Sequence, residues 1–149
     1  MKYFLIFLYS TNHKIMTKRE ITHLSYQITG YATKVHKALG AGLLESIYEA
    51  CLLYELEKNG HVVRQQVFIP VIYDDLKINT DLKLDLFVDD SVVIELKTVE
   101  SLLPVHEAQI LTYMKLLKAP QGLLINFFTD HITKSMKPFV NEYFNMLQD

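Results

Sequence analysis

Residues 83–97, KLDLFVDDSVVIELK, decide the fold of this chain. Apolar residues alternate with Asp85 in the first half and with Glu95 and Lys97 in the second half, which is the period of two typical of β-strands. The acidic turn between the halves predicts a β-hairpin. Because residues two apart lie on one face of a strand, Glu95 and Lys97 project together, roughly 7 Å apart along the chain.

The length of this turn decides whether the acidic side chains meet. A three-residue loop at 89–91 pairs Val88 with Val92 and places Asp85 opposite Glu95. A two-residue loop places the two carboxylates on opposite faces, because a slip of one residue inverts a strand. We therefore expect an odd-length or bulged turn.

Two carboxylates that face each other repel, so the arrangement persists only where a proton or a cation lies between them. A few hard oxygen ligands suit Mg²⁺ or Mn²⁺ that is also bound by water and substrate phosphate. Beside such an ion, Lys97 would steady the charge on a phosphate or orient the attacking water. The pattern indicates phosphodiester hydrolysis, and the alternative is two exposed strands with charged outer faces.

Helical periods lie on both sides of the hairpin. Apolar residues from Ile21 to Leu39 recur at steps of three and four, which predicts an amphipathic helix, and a second helix follows at about residues 43–58. Residues 61–73 are strand-like, a helix begins near Pro104, residues 123–128 form a strand, and the tail at 132–147 is expected to be helical. The order α-α-β-β-β-α-β-α predicts one α/β domain with a mixed sheet of about four strands.

Composition limits the class of protein. A chain of 149 residues, 50% hydrophobic and 21% charged, fits one folded domain, and the single cysteine, Cys51, excludes a disulfide-rich module. Residues 1–37 hold six basic and one acidic side chain, whereas residues 38–149 hold nine and sixteen. Only two of the fifteen basic residues are arginines, which argues against guanine recognition by arginine.

The apolar run YFLIFLY at residues 3–9 is too short to span a bilayer and lacks a small-residue cleavage site. We expect residues 1–15 to be an N-terminal extension outside the core and residues 16–149 to form the single domain. This interpretation predicts a cytoplasmic protein that does not contact a membrane.

Four motifs resemble the PD-(D/E)XK nuclease superfamily. Asp85, followed ten positions later by Glu95-Leu96-Lys97, is similar to its signature, although the preceding position is Leu84 where the superfamily name has proline. GLLESIY at 42–48 matches the GxxExxY pattern that names one bacterial family, and QILTY at 109–113 matches a QxxxY element of RecB-like branches. GLLINF at 122–127 resembles the final core strand. The resemblance implies a restriction-endonuclease-like core.

The resemblance also implies roles for single residues. Asp85 and Glu95 would bind the metal, the Leu96 carbonyl would complete the ligand set, and Lys97 would be the catalytic lysine. Glu45 would order a metal-bound water or a second ion.

Four further residues are candidates for substrate binding. Gln109 and Tyr113 would contact the substrate backbone or support the site, and His36 and Lys34 would help to hold phosphate. The alternative is an ordinary polar helix face for Gln109 and Tyr113, a hydrogen-bonded structural histidine for His36, and a solvated lysine for Lys34.

The function implied is a Mg²⁺- or Mn²⁺-dependent nuclease that cuts nucleic acid, DNA more readily than RNA. One alternative is an inactive nuclease fold that binds nucleic acid or a protein. Another is a subunit of a homo-oligomer or of a larger DNA-processing complex, since one small domain offers little surface for specificity.

Overall fold

The computed structural model describes residues 14–149. Its elements are helices, strands and one 3₁₀ turn, in chain order: α1 Lys18–Leu39, α2 Glu45–Lys58, β1 Val63–Phe68, β2 Val71–Tyr73, β3 Leu76–Ile78, β4 Lys83–Val88, β5 Val92–Lys97, α3 Pro104–Leu117, β6 Gln121–Asn126, the 3₁₀ turn Ile132–Ser135, β7 Met136–Val140 and α4 Glu142–Asn145. Within these residues, no helix is long and apolar enough to cross a membrane.

Five strands form a mixed sheet in the order β1-β4-β5-β6-β7, and β2 pairs with β3 in a separate hairpin. The pair β5 and β6 is parallel, and α3 supplies the crossover that a parallel connection requires. The other neighbours in the sheet are antiparallel. The predicted α/β class and restriction-endonuclease-like core are confirmed.

Helices cover both faces of the sheet. On one face, α1 and α2 pack on the side chains of alternate sheet residues such as Leu86, Ile94 and Ile125. On the other face, α3 packs on Phe87 and Val93. Helix α3 lies close to the sheet because β6 has Gly122, where an added Cβ would lie 2.7 Å from the Met114 Sδ atom.

The predicted turn between β4 and β5 is confirmed. Val88 pairs with Val92, so the loop has the three residues 89–91 that bring Asp85 level with Glu95. Asp89 and Asp90 both adopt φ values of 50°, a left-handed conformation that Asp tolerates better than most residues.

Two details of the predicted fold are wrong. The tail is not a helix but a 3₁₀ turn, strand β7 and a four-residue helix, because Pro138 has no N–H for a helix interior and is accommodated on an edge strand. The region 61–73 is two strands separated by Pro70, and β2 pairs with β3 instead of joining the main sheet. Because β7 from the tail joins it, the main sheet has five strands where about four were expected.

The N-terminal extension was predicted at residues 1–15, and residues 1–13 of it lie outside the described residues. Met16 packs against the buried cluster of α1 and α2, and Thr17 caps α1 by accepting a hydrogen bond from the Glu20 N–H. These contacts agree with a domain that begins near residue 16, which stays a prediction.

Candidate active site

The site lies where β4 and β5 stop pairing. Regular pairing runs from the turn to Leu86 and Ile94. Beyond that point the side chains replace the backbone ladder. The Asp85 N–H donates to Glu95 Oε1 at 3.0 Å, and the Leu96 N–H donates to Asp85 Oδ2 at 2.7 Å. Each carboxylate is thus held by the backbone of the other strand.

Burial and mutual repulsion make these carboxylates hard to ionise. Glu95 is only 5% exposed, and its burial, followed by the charge of Asp85, raises its pKa to about 8. Burial also raises the pKa of Asp85, and the charges of Glu49 and Glu45 on α2 act in the same direction. A cation placed beside the pair would offset this repulsion and favour both charged forms.

Lys97 ends β5 on the same side of the site. Its charge favours the ionised forms of Glu95 and of Glu45 and so opposes the rise in their pKa values. Within residues 14–149, the Lys97 ammonium makes no direct salt bridge. Asn126 on β6 pairs with Lys97. The Asn126 side chain accepts from the Val99 N–H and donates to the Val99 carbonyl, and so fixes the segment that follows β5.

The GxxExxY segment forms the start of α2 and the loop before it. Gly42 has a φ of 99°, which favours glycine. The buried Tyr48 donates to the Gly40 carbonyl at 2.5 Å, accepts from the Leu43 N–H at 3.2 Å, and stacks on Phe127 at 4.5 Å. The glycine and the tyrosine thus hold the loop that precedes α2.

The loop in turn places Glu45 at the first residue of α2. Burial raises the pKa of Glu45, the nearby Lys97 charge lowers it, and Glu49 raises it again. The structure therefore brings Glu45 into the same electrostatic cluster as Lys97.

Helix α3 contributes the QxxxY pair to the site. Gln109 Nε2 donates to the Tyr113 hydroxyl at 2.7 Å, as side chains four residues apart on a helix do. Burial raises the pKa of Tyr113, and the charges of Glu95 and Asp85 raise it further. The charges of the carboxylate pair therefore act on Tyr113, and Gln109 holds its hydroxyl.

The two remaining candidates have partners of another kind. Lys34 forms an ion pair with Glu55 at 3.0 Å, across the α1–α2 interface. His36 Nε2 donates to the Thr129 carbonyl at 2.7 Å. Neither has a contact with Asp85 or Glu95 among the described residues, so the structure does not bring them into the cluster.

Three residues of the cluster were missed in the sequence. Glu49 is only 7% exposed and lies one helical turn after Glu45. This spacing places the two side chains on one helix face and could have identified Glu49 from the sequence. Gln65 and Gln66 donate to the two Glu49 oxygens at 2.7 and 2.6 Å. Nothing in the local pattern of β1 separates these glutamines from ordinary surface residues.

The donor set fits a hard divalent cation, although it is small. Within residues 14–149, no three His, Cys, Asp or Glu side chains are grouped as a metal-binding set. The available donors are Asp85, Glu95 and the Leu96 carbonyl, which points toward Asp85 because the N–H and C=O of one strand residue face the same neighbour. A small set of oxygen donors suits Mg²⁺, which keeps several of its waters.

The mixed sheet, its helices and this open-ended hairpin define a restriction-endonuclease-like domain. A model of the PD-(D/E)XK nuclease superfamily matches residues 22–139. The chain therefore belongs to the PD-(D/E)XK nuclease superfamily, whose members are usually nucleases and typically use divalent metals. No match was found among curated proteins or among solved structures.

Proposed function

We propose that the protein is a Mg²⁺- or Mn²⁺-dependent nuclease of the GxxExxY type that hydrolyses phosphodiester bonds, in DNA more readily than in RNA. The observation that carries this proposal is the pair of the half-buried Asp85 and the buried Glu95, which lie together at the open end of a hairpin with their pKa values raised. Such a pair is costly unless a cation or a proton joins it. Superfamily membership supports the reaction class.

Asp85, Glu95 and the Leu96 carbonyl would hold the metal ion, with Glu45 ordering a bound water or a second ion. The ion would supply Lewis-acid polarisation of the phosphate and neutralise its charge. The Lys97 ammonium, without a salt-bridge partner among the described residues, is available to contact a phosphate oxygen or the attacking water. The four carboxylates of the cluster would repel a phosphate in the absence of a cation, so substrate binding should depend on the metal.

On α3, Tyr113 would donate its hydroxyl hydrogen bond to the substrate backbone or support Glu95, and Gln109 would hold that hydroxyl in place. His36 and Lys34 stay candidates for a more distant phosphate contact, and Lys34 would have to leave Glu55 to make one. The GxxExxY assignment rests on Gly42, Glu45 and Tyr48 in the loop and helix described above.

The test is a cleavage assay with purified protein on single- and double-stranded DNA and RNA, in Mg²⁺ and in Mn²⁺. Lys97→Met should abolish cleavage and keep metal binding, because the lysine acts on the substrate. Lys77→Met, on the exposed hairpin strand β3, is the matched control and should cleave at the wild-type rate.

A second candidate function is an inactive nuclease fold that binds nucleic acid or a protein partner, alone or within a homo-oligomer or larger complex. The observation in its favour is the small side-chain donor set within residues 14–149. Wild-type protein that binds oligonucleotide but leaves all four substrates intact in both metals would favour this function.

A further inference from the structure

Strand β1 has an irregular backbone directly opposite the site. Gln65 pairs with Leu86 and Val67 pairs with Leu84, so Gln66 lies opposite Asp85 without joining the ladder. Gln66 has a φ of 51°, a left-handed conformation that is unfavourable for a non-glycine residue. Both Gln65 and Gln66 are exposed, so burial of these side chains does not compensate for that cost.

The irregularity has a visible consequence for the two glutamines. Consecutive residues of a regular strand point to opposite faces of the sheet. Here both amides reach the same carboxylate, with Gln65 Nε2 on Glu49 Oε2 and Gln66 Nε2 on Glu49 Oε1. The left-handed residue therefore turns a second side chain toward Glu49, which is fixed at both oxygens.

The same backbone irregularity is seen in the packing of β4. Leu84 and Leu86 are two residues apart and would share a face in a regular strand. Leu84 instead packs in the cluster beneath α3, and Leu86 packs in the cluster beneath α1 and α2. The alternation changes at Asp85, the residue that Gln66 opposes.

Gln66 also touches Asp85 itself. Its Nε2 lies 3.3 Å from Asp85 Oδ1, in addition to 2.6 Å from Glu49 Oε1. One amide thus bridges two carboxylates that would otherwise repel. Since the Leu96 N–H holds Asp85 Oδ2, the Gln66 amide and the Leu96 N–H together fix both oxygens of the Asp85 carboxylate.

We propose that Gln66 is a positioning residue, which uses Glu49 as an anchor and sets the orientation of the Asp85 carboxylate. Its importance for catalysis rests on the proposed function, because the oriented carboxylate would be a metal ligand. Partners that bond to ligating carboxylates typically change metal affinity 10- to 100-fold when they are removed. The left-handed backbone at Gln66 places this amide next to Asp85.

The experiment measures hydrogen exchange of the Leu96 amide in metal-free protein, together with Mn²⁺ affinity. Gln66→Gly removes the amide and relieves the left-handed strain, and Gln66→Asn tolerates the same backbone with a shorter arm. Lys77→Met, on the exposed strand β3 outside the site, is the control. We expect the Leu96 amide to exchange about tenfold faster in both Gln66 variants, with the Ile94 amide unchanged, and the Lys77 variant to behave as wild type.

The outcomes separate this inference from the proposed function. Faster Leu96 exchange with Mn²⁺ binding weakened about tenfold supports both. Faster Leu96 exchange in a protein whose wild type never binds Mn²⁺, even with oligonucleotide, supports the positioning role and contradicts the metal-dependent function. Unchanged Leu96 exchange in folded Gln66→Gly and Gln66→Asn overturns the positioning role, whatever the metal result.

Discussion

The β4–β5 hairpin has two carboxylates at each end, and the two ends differ in what surrounds them. At the turn, Asp89 accepts hydrogen bonds from His61 Nδ1 and from the Val62 N–H, each at 2.8 Å. Asp90 forms an ion pair with Arg64. These two carboxylates are each matched by a donor or a cation, and they stabilise the turn and its contact with β1.

At the open end, Glu95 is affected by the charge of Asp85, and Asp85 by the charges of Glu49 and Glu45. Both carboxylates accept mainly from backbone and amide N–H groups. Burial raises both pKa values, and no salt bridge among the described residues offsets it. The difference between the ends is therefore one of charge balance. The carboxylates at the turn are part of the fold, whereas the pair at the open end, which has no cation partner among the described residues, is where the proposed function places a metal ion.

The largest expected effect is on cleavage and distinguishes the two ends directly. Asp85→Asn removes a charge from the proposed metal site and should lower the cleavage rate by about 100- to 1000-fold. Asp89→Asn is the control, because Asn tolerates the left-handed backbone at that position. It should lose about 1–2 kcal/mol of stability and keep its cleavage rate. Equal loss of cleavage in both variants would contradict the comparison.

The next effect is on the pH dependence of Mn²⁺ binding. The pKa of Glu95 is raised to about 8 and that of Asp85 to about 6, so a bound metal would displace the proton that Glu95 holds near neutral pH, and at lower pH that of Asp85 as well. The Mn²⁺ affinity should rise about 10- to 100-fold between pH 6 and pH 8, since one or two protons are released. Titration calorimetry on the wild type at several pH values measures this slope. A flat profile in wild type would show that these carboxylates are not the ligands.

A smaller effect is expected on the stability of the metal-free protein. Because the folded-state pKa of Glu95 lies above its unfolded value, stability is lost as pH rises from about 4.5 toward about 8. Glu95→Gln keeps an acceptor for the Asp85 N–H and removes the charge. Its melting temperature at pH 8.5 should exceed that of wild type by about 3–8 °C, with the difference shrinking toward pH 5. A variant that melts lower than wild type at pH 8.5 would contradict a destabilising charge on Glu95.

The smallest effect concerns α3. Tyr113→Phe removes the hydroxyl that Gln109 orients beside Glu95, and cleavage should fall by about two- to fivefold. Tyr26→Phe, on the exposed side of α1, is the control and should have no effect. A loss of a hundredfold or more would give Tyr113 a direct part in the reaction, which the present account does not assign to it.

Some of this architecture could be predicted from sequence because short-range rules decide it. The three residues 89–91 fix the register that brings Asp85 level with Glu95, and the spacing of Gln109 and Tyr113 fixes their contact on one helix face. The tail could not be predicted in this way, because the spacing of its apolar residues also fits a helix. Pro138 disfavours that helix and is accommodated in the edge strand β7.

The cluster around Glu49 depends on long-range geometry instead. Gln66 contacts Asp85 because its backbone is left-handed in the middle of a strand. No residue type in that segment indicates such a conformation. The four carboxylates of the hairpin also look alike in sequence. His61 and Arg64, which match the pair at the turn, come from β1 and the segment before it, more than twenty residues earlier in the chain.

The most direct test of the central claim is Mn²⁺ calorimetry on wild type, Asp85→Asn and Asp89→Asn at pH 7.5, repeated with a DNA oligonucleotide present. Wild type and Asp89→Asn should bind Mn²⁺ alike, and Asp85→Asn should lose the binding. Equal binding by all three proteins, or no binding by wild type even with the oligonucleotide, would contradict a metal site at the open end of the hairpin.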